Sequence, residues 1–383
     1  MKPSPKAGLG DGVPPKLLAG VPFDPRNNAL NLVRLMLAAV VIVDHTFPIT
    51  RGVASPHVGP ETLGGWAVIG FFIVSGYLIT GSRTSRPFAE YLAHRVARIF
   101  PGYLVCLGVI TFVAAPIAYL ADHGSLDGFF STDTKPPMFL WLNFTLHQGP
   151  VDVSGTPAGV PYPGVWDGAL WSLWYEFMCY LVVGFAFCFA AVRRRSGLVL
   201  AIGYAVSVVV MRFHMTVLPY VDNSTDIYFF INLLPFFLAG AVLFHLRHHL
   251  RYSVVGAILA AGIALAAIIY VPVCGPHLAA PFLGYVLLWL GTVLPCPALI
   301  RREDISYGLY IYGFVVQQAL ALMGLRELPV AVFAVGAIAL TVVPASLSWV
   351  LVEHPALRRA RGQIAYPWLH RRMRPGHIAR EHV

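Results

Sequence analysis

The chain has 383 residues, 57% of them hydrophobic and only 12% charged, with a mean hydropathy of +0.69 and a formal charge of +9. So few charges could not cover that much apolar surface in water, which excludes an ordinary soluble domain. The positive charge does not point to nucleic acid either, because the arginines sit in short clusters between apolar runs rather than on one basic surface.

Residues 1–27 are rich in Pro and Gly and lack a continuous apolar core, so they read as a flexible cytoplasmic leader rather than a signal peptide. Apolar runs long enough to cross a bilayer then recur at about 29–49, 64–81, 99–120, 168–191, 197–213, 228–246, 252–272, 281–295, 304–324 and 330–352. The expected fold is an all-α, polytopic transmembrane helical bundle of about ten helices, spanning 28–358. With the N-terminus in the cytoplasm, the arginines at 83–98, 193–195, 247–251 and 301–302 and the basic tail 359–383 all fall on the cytoplasmic side. The long stretch 121–167 falls outside and reads equally well as a partly disordered connector or as an acceptor platform. The five cysteines carry no CxxC spacing, so neither a disulfide framework nor a metal site is expected.

Ionisable groups inside apolar spans are costly, and each is a functional candidate. In "NLVRLMLAAVVIVDHTF" Arg34 and His45 are eleven residues apart, which returns a helix to within roughly 20° of the same face and separates them by roughly 16 Å along the axis. Arg34 alone reads as a snorkelling side chain, whereas His45 reads either as an interfacial histidine or as a general base. Ser75-Gly76 in "FFIVSGYLI" permits close helix approach. Arg95 and Arg98 in "HRVARIFP" share a helix face and suit either a cytoplasmic anchor or a clamp for a phosphorylated ligand. In "WDGALWSLWYEFMCY" Asp167 can cap a helix, and Ser172 and Glu176 share a face with a glutamate well inside the span. Asp304 stands at a helix start, and Glu353 near the inner end of the last span, where it is expected to pair with a basic cluster such as Arg95 and Arg98.

The ordered set Arg-x10-His, FFxxSGyLI, RxxRxxP, WSLwyE, DiSYglYiy and SWxLvExP resembles the acyltransferase-3 family of membrane acyltransferases, over residues 28–358. Its members include O-acetyltransferases of O-antigen, Nod factor and exopolysaccharide. The resemblance implies a multi-pass enzyme of the bacterial inner membrane with both termini cytoplasmic. It would take an acyl group, usually acetyl, from cytosolic acyl-CoA to a hydroxyl of an acceptor outside, often a glycan. It also implies His45 as the catalytic residue paired with Arg34, and Arg95 and Arg98 in handling the donor. Ser75, Glu176, Ser306, Tyr307 and Glu353 match motifs with less settled roles. The chain departs from the pattern at Ile69-Gly70, where many members have Val-Asp, and at Gly313, where many have a histidine. A mechanism resting on that second histidine is therefore not carried over; Gln317 and Gln318 stand nearby as other hydrogen-bonding groups.

The expected chemistry has His45 deprotonating the acceptor hydroxyl, with Asp44 or, on helix geometry, Glu176 orienting it. Arg95 and Arg98 would hold CoA phosphates, and Arg34 would guide the pantetheine or polarise the thioester carbonyl; a covalent acyl-histidine is the mechanistic alternative. The functional alternative is a transporter or flippase for a lipid-linked or small anionic solute.

Overall fold

The computed structural model describes residues 20–362, so most of the expected leader (1–19) and the tail beyond 362 lie outside the described residues. Every apolar span expected from the sequence is met by a helix. In chain order these are α1 (Leu30–Arg51), α2 (Leu63–Thr84), α3 (Phe88–Val109) running on through a π-type turn into α4 (Ala115–His123), α5 (Trp171–Ala186), α6 (Ser196–Arg212), α7 (Thr225–Leu246), α8 (Val254–Tyr270), α9 (Gly275–Val293), α10 (Ser306–Leu322) and α11 (Val330–Ser348). A second π-type turn (Trp349–Glu353) joins α11 to α12 (His354–Ala360). A two-stranded hairpin, β1 (His57–Val58) with β2 (Glu61–Thr62), links α1 to α2.

Among the described residues, six helical segments are long and apolar enough to cross a membrane on their own: α1, α2, α3–α4, α7, α9 and α11–α12. The others are shorter or bent; α6 turns by 74° into residues 214–221. α10 is the most enclosed helix, with Tyr307, Tyr310, Tyr312, Gln317 and Gln318 all buried against neighbouring helices. A helix surrounded by protein can carry such polar groups because they meet partners rather than lipid. The periphery is the reverse: Phe112, Ile117, Leu259, Ile269, Val335 and Leu351 are exposed, as the outer face of a membrane bundle requires.

Small residues set the tightest contact. A Cβ on Gly76 would overlap the carbonyl oxygen of Phe237, and one on Gly240 would overlap that of Ile73, so α2 and α7 meet backbone to backbone. α1 stays helical through Pro48 and stops at Gly52, whose φ of 65° suits a residue without a side chain and whose N–H bonds Pro48 O. The described part of the leader is packed: Val21 bridges to Tyr252, and Phe23 lies edge-on to Tyr77 at 5.4 Å.

The segment between α4 and α5 is ordered around buried Phe129, Leu146, Val153 and Trp166. The Trp166 indole donates to Thr156 Oγ1 at 3.0 Å, and Gln318 of α10 donates to the carbonyls of Tyr162 and Val165 at 2.8 and 2.7 Å. Asp167 does not cap α5, which starts four residues later; it accepts the Ala169 N–H at 2.8 Å, and burial pushes its carboxyl well above the usual carboxylate range.

Candidate active site

α1 carries Arg34 and His45 on one stripe, and a cavity opens at each. At the arginine end, the Asp304 carboxylate receives Arg34 and, at 2.6 Å, Arg98 Nη2 on the same oxygen. Its other oxygen accepts the Ser306 hydroxyl at 2.5 Å and the Ser306 N–H at 3.3 Å. Arg98 also reaches Glu353 at 3.5 Å, and Glu353, fully enclosed, accepts the Ser348 hydroxyl at 2.9 Å. α1, α3, the turn before α10 and the π-type turn after α11 are thus tied by alternating charges, which low-dielectric surroundings make strong.

Arg95 differs from its neighbour. Its guanidinium lies 6.0 Å from the rings of Tyr91 and Tyr180, its Nε is buried without a hydrogen bond, and it meets no carboxylate among the described residues. Arg95 and Arg98 line a cavity of about 300 Å3 together with Arg34, Ser75, Glu176 and Arg302. Arg361 also borders it.

At the other end, a cavity of about 320 Å3 is lined by His45, Asp44, Glu61, Asn232, Trp171 and Tyr310, among others. His45 packs edge-on against Phe314 at 4.9 Å. Asp44 is 6% exposed, and its Oδ1 makes no hydrogen bond. A Cβ on Gly64 would come within 2.7 Å of its other oxygen, so the glycine makes room for the carboxylate. Burial also lifts the Glu61 carboxyl above its ordinary value, against the pull of His57. Asn232 is held from behind: its side-chain oxygen lies 2.9 Å from Nε2 of His277, a buried ring stacked on Phe236 at 4.7 Å.

A narrow void of about 30 Å3 lies between the two cavities. It shares Val68 and Tyr310 with the His45 cavity and Arg34, Phe71, Glu176 and Tyr307 with the arginine cavity. The three therefore follow one another along the inward face of α1. Among the described residues no cluster of His, Cys, Asp and Glu could hold a metal ion.

Residues 27–349 match the acyltransferase domain known as acyltransferase-3. The chain belongs to this family. It is 28% identical over 304 residues to the O-acetyl transferase of Shigella phage Sf6, covering 76% of this chain and 85% of that protein. To nodulation protein 10 of Rhizobium leguminosarum bv. viciae it is 27% identical over 372 residues, covering 89% and 95%. No solved structure matches it. The protein is a membrane O-acyltransferase built as an all-α bundle.

Within this acyltransferase-3 bundle the motif residues fall into two groups. His45 and Asp44 line the first cavity; Arg34, Arg95, Arg98, Ser75 and Glu176 line the second. Glu176 is not the carboxylate beside His45. Its Oε1 accepts the hydroxyls of Ser75 and Tyr180 at 2.6 and 2.7 Å, because α5 turns that face towards α2 at the arginine end. Asp44 and Glu61 are the carboxylates that share a cavity with His45.

Gly313 packs against Ile42: a Cβ there would sit 2.7 Å from Ile42 Cγ1. The amide N–H groups of the nearby glutamines are engaged within the bundle. Gln317 donates to Ile42 O and Thr46 Oγ1, both at 2.8 Å, fastening α10 to α1, while Gln318 fastens the loop. Asn232 is not among the sequence candidates, although an amide isolated in "YFFINLLPFF" is a usable signal. Residues 121–167 do not line the His45 cavity; its mouth is shaped by the β1–β2 hairpin and the start of α7.

Proposed function

We propose that the enzyme takes an acyl group, acetyl in the simplest case, from cytosolic acyl-CoA and delivers it to a hydroxyl of a glycan on the far side of a bacterial inner membrane. The observation that carries this is the alignment of two polar cavities through a narrow waist on the Arg34–His45 stripe. One end is rich in guanidinium, suited to CoA phosphates, and the other holds an imidazole beside carboxylate and amide groups. The names of the two relatives support O-acetyl transfer, and the positive-inside pattern supports a cytoplasmic arginine end.

In this mechanism Arg95, which has no acid partner among the described residues, meets the phosphates first. Arg34 and Tyr307 at the waist guide the pantetheine arm across the roughly 16 Å to the thioester position. His45 takes the proton from the acceptor hydroxyl as its oxygen attacks the thioester carbonyl. The carbon–sulfur bond then breaks, and the imidazolium returns the proton to the departing thiolate. Asp44, adjacent in sequence, supplies negative charge for the imidazolium. Asn232, whose oxygen is engaged by His277, offers its amide N–H to the oxyanion of the tetrahedral intermediate.

The test uses the purified protein in lipid nanodiscs with radiolabelled acetyl-CoA and envelope polysaccharide from the producing bacterium. His45→Ala is expected to lower kcat by about 10²–10⁴-fold, the range of a lost general base, while CoA binding stays intact. Near-normal transfer by that variant would remove His45 from the chemistry.

A further inference from the structure

Beside the His45 cavity lies another of about 340 Å3 that the mechanism leaves unused. The two share Trp171 and Phe229, whose rings pack at 4.8 Å and form the wall between them. α5 adds Trp174 and Tyr175 to this second cavity, α7 adds Asp226, and the segment before α5 adds His147 and Gln148.

These side chains fix one another. The Asp226 carboxylate accepts the Tyr175 hydroxyl at 2.9 Å and lies 3.0 Å from His147 Nε2. The His147 ring stands edge-on to Trp174 at 5.4 Å. Gln148 donates its amide to Asp167 O at 2.8 Å, which keeps its own carbonyl oxygen available as an acceptor. Trp171 and Trp174 bring two indole N–H donors to this lining.

Two tryptophans beside a carboxylate, an imidazole and an amide give the cavity an aromatic lining with mixed hydrogen-bonding groups. Such a surface takes the C–H face of a sugar ring on the indoles and its hydroxyls on the polar rim. An anionic ligand would meet Asp226 with no unpaired guanidinium or ammonium in the lining, and a lipid tail would leave the polar rim unsatisfied.

We propose that this cavity is a second acceptor subsite, holding the neighbouring unit of a neutral oligosaccharide whose reacting hydroxyl lies across the Trp171–Phe229 wall beside His45. This rests on the assignment of the His45 cavity to a glycan acceptor. It also gives the segment 121–167 a part in acceptor choice, through His147 and Gln148 rather than through the catalytic cavity.

The experiment compares acceptor fragments cut from the polysaccharide that the wild-type enzyme labels, one a single sugar unit and the other at least three units long. Trp174→Ala should raise KM for the longer fragment about tenfold, the effect of losing one aromatic platform. KM for the single unit and for acetyl-CoA should stay unchanged, and Trp174→Phe should recover most of the loss. CoA binding by the variants reports that the bundle is intact. Equal KM values for the longer fragment in wild type and Trp174→Ala, or an equal rise for both fragments, would overturn the subsite. If the wild type turns over acetyl-CoA yet labels no glycan, the acceptor assignment itself fails and the subsite falls with it.

Discussion

Replacing Arg98 by alanine should damage the fold before it damages donor binding. Arg98 is 12% exposed and stands between Asp304, 14% exposed, and Glu353, which is fully buried. Asp304 would keep Arg34 and the Ser306 hydroxyl, but Glu353 would keep only the Ser348 hydroxyl. Removing one partner of a buried ion pair costs about 3–5 kcal/mol, because the remaining charge is left uncompensated. Arg98→Ala should therefore lower the detergent unfolding midpoint, followed by tryptophan fluorescence, by on the order of 10 °C. Arg98→Met combined with Glu353→Gln removes both charges at similar volume, and such replacements are often neutral. The double variant should regain most of the lost midpoint. An Arg98→Ala protein as stable as wild type, or a double variant no more stable than the single, would refute the ion-pair account.

Arg95→Ala leaves no carboxylate behind, so it should raise KM for acetyl-CoA about tenfold, the loss of one charge-assisted phosphate contact, with a near-normal unfolding midpoint and acceptor KM. Isotope-transfer kinetics with each substrate varied in turn check this, and an effect confined to the acceptor would exclude a donor role. Asn232→Ala should lower kcat by about 10²-fold with little change in either KM, as expected for a lost oxyanion donor, and His277→Gln should give a smaller loss of the same kind. A rise in acceptor KM without loss of kcat would instead make Asn232 a binding group.

The charged motifs of the chain perform two tasks that their residue types alone do not separate. Arg34, Arg98, Asp304 and Glu353 neutralise one another and clamp helices far apart in the chain; Arg34 and Asp304 are 270 residues apart. Arg95, Asp44, Asn232 and Glu61 line the cavities, and Arg95 Nε and Asp44 Oδ1 have no hydrogen-bond partner among the described residues. The first set explains why so much ionisable matter can be buried in a bundle, and in the proposed mechanism the second, together with Arg34 at the waist, meets the substrates.

The all-α class and the order of the apolar helices were legible in the sequence, because a segment in lipid must satisfy its own backbone; that only six segments are long and apolar enough to cross on their own was not. The Arg34–His45 stripe followed from helix periodicity, and the close contact at Gly76 from the absence of a Cβ. These are properties of one helix at a time. Which cavity Glu176 would enter was not such a property. The helix face it shares with Ser172 was readable, but the rotation of α5 that hands its carboxylate to Ser75 and Tyr180 is set by packing against α2 and α3. The same holds for Gly313 filling against Ile42, and for Asn232, held by His277 across from α9. Local chemistry determined where the costly groups lie along the chain. Only the tertiary structure decided which of them cancel and which remain for substrate, because that depends on side chains brought together from helices hundreds of residues apart.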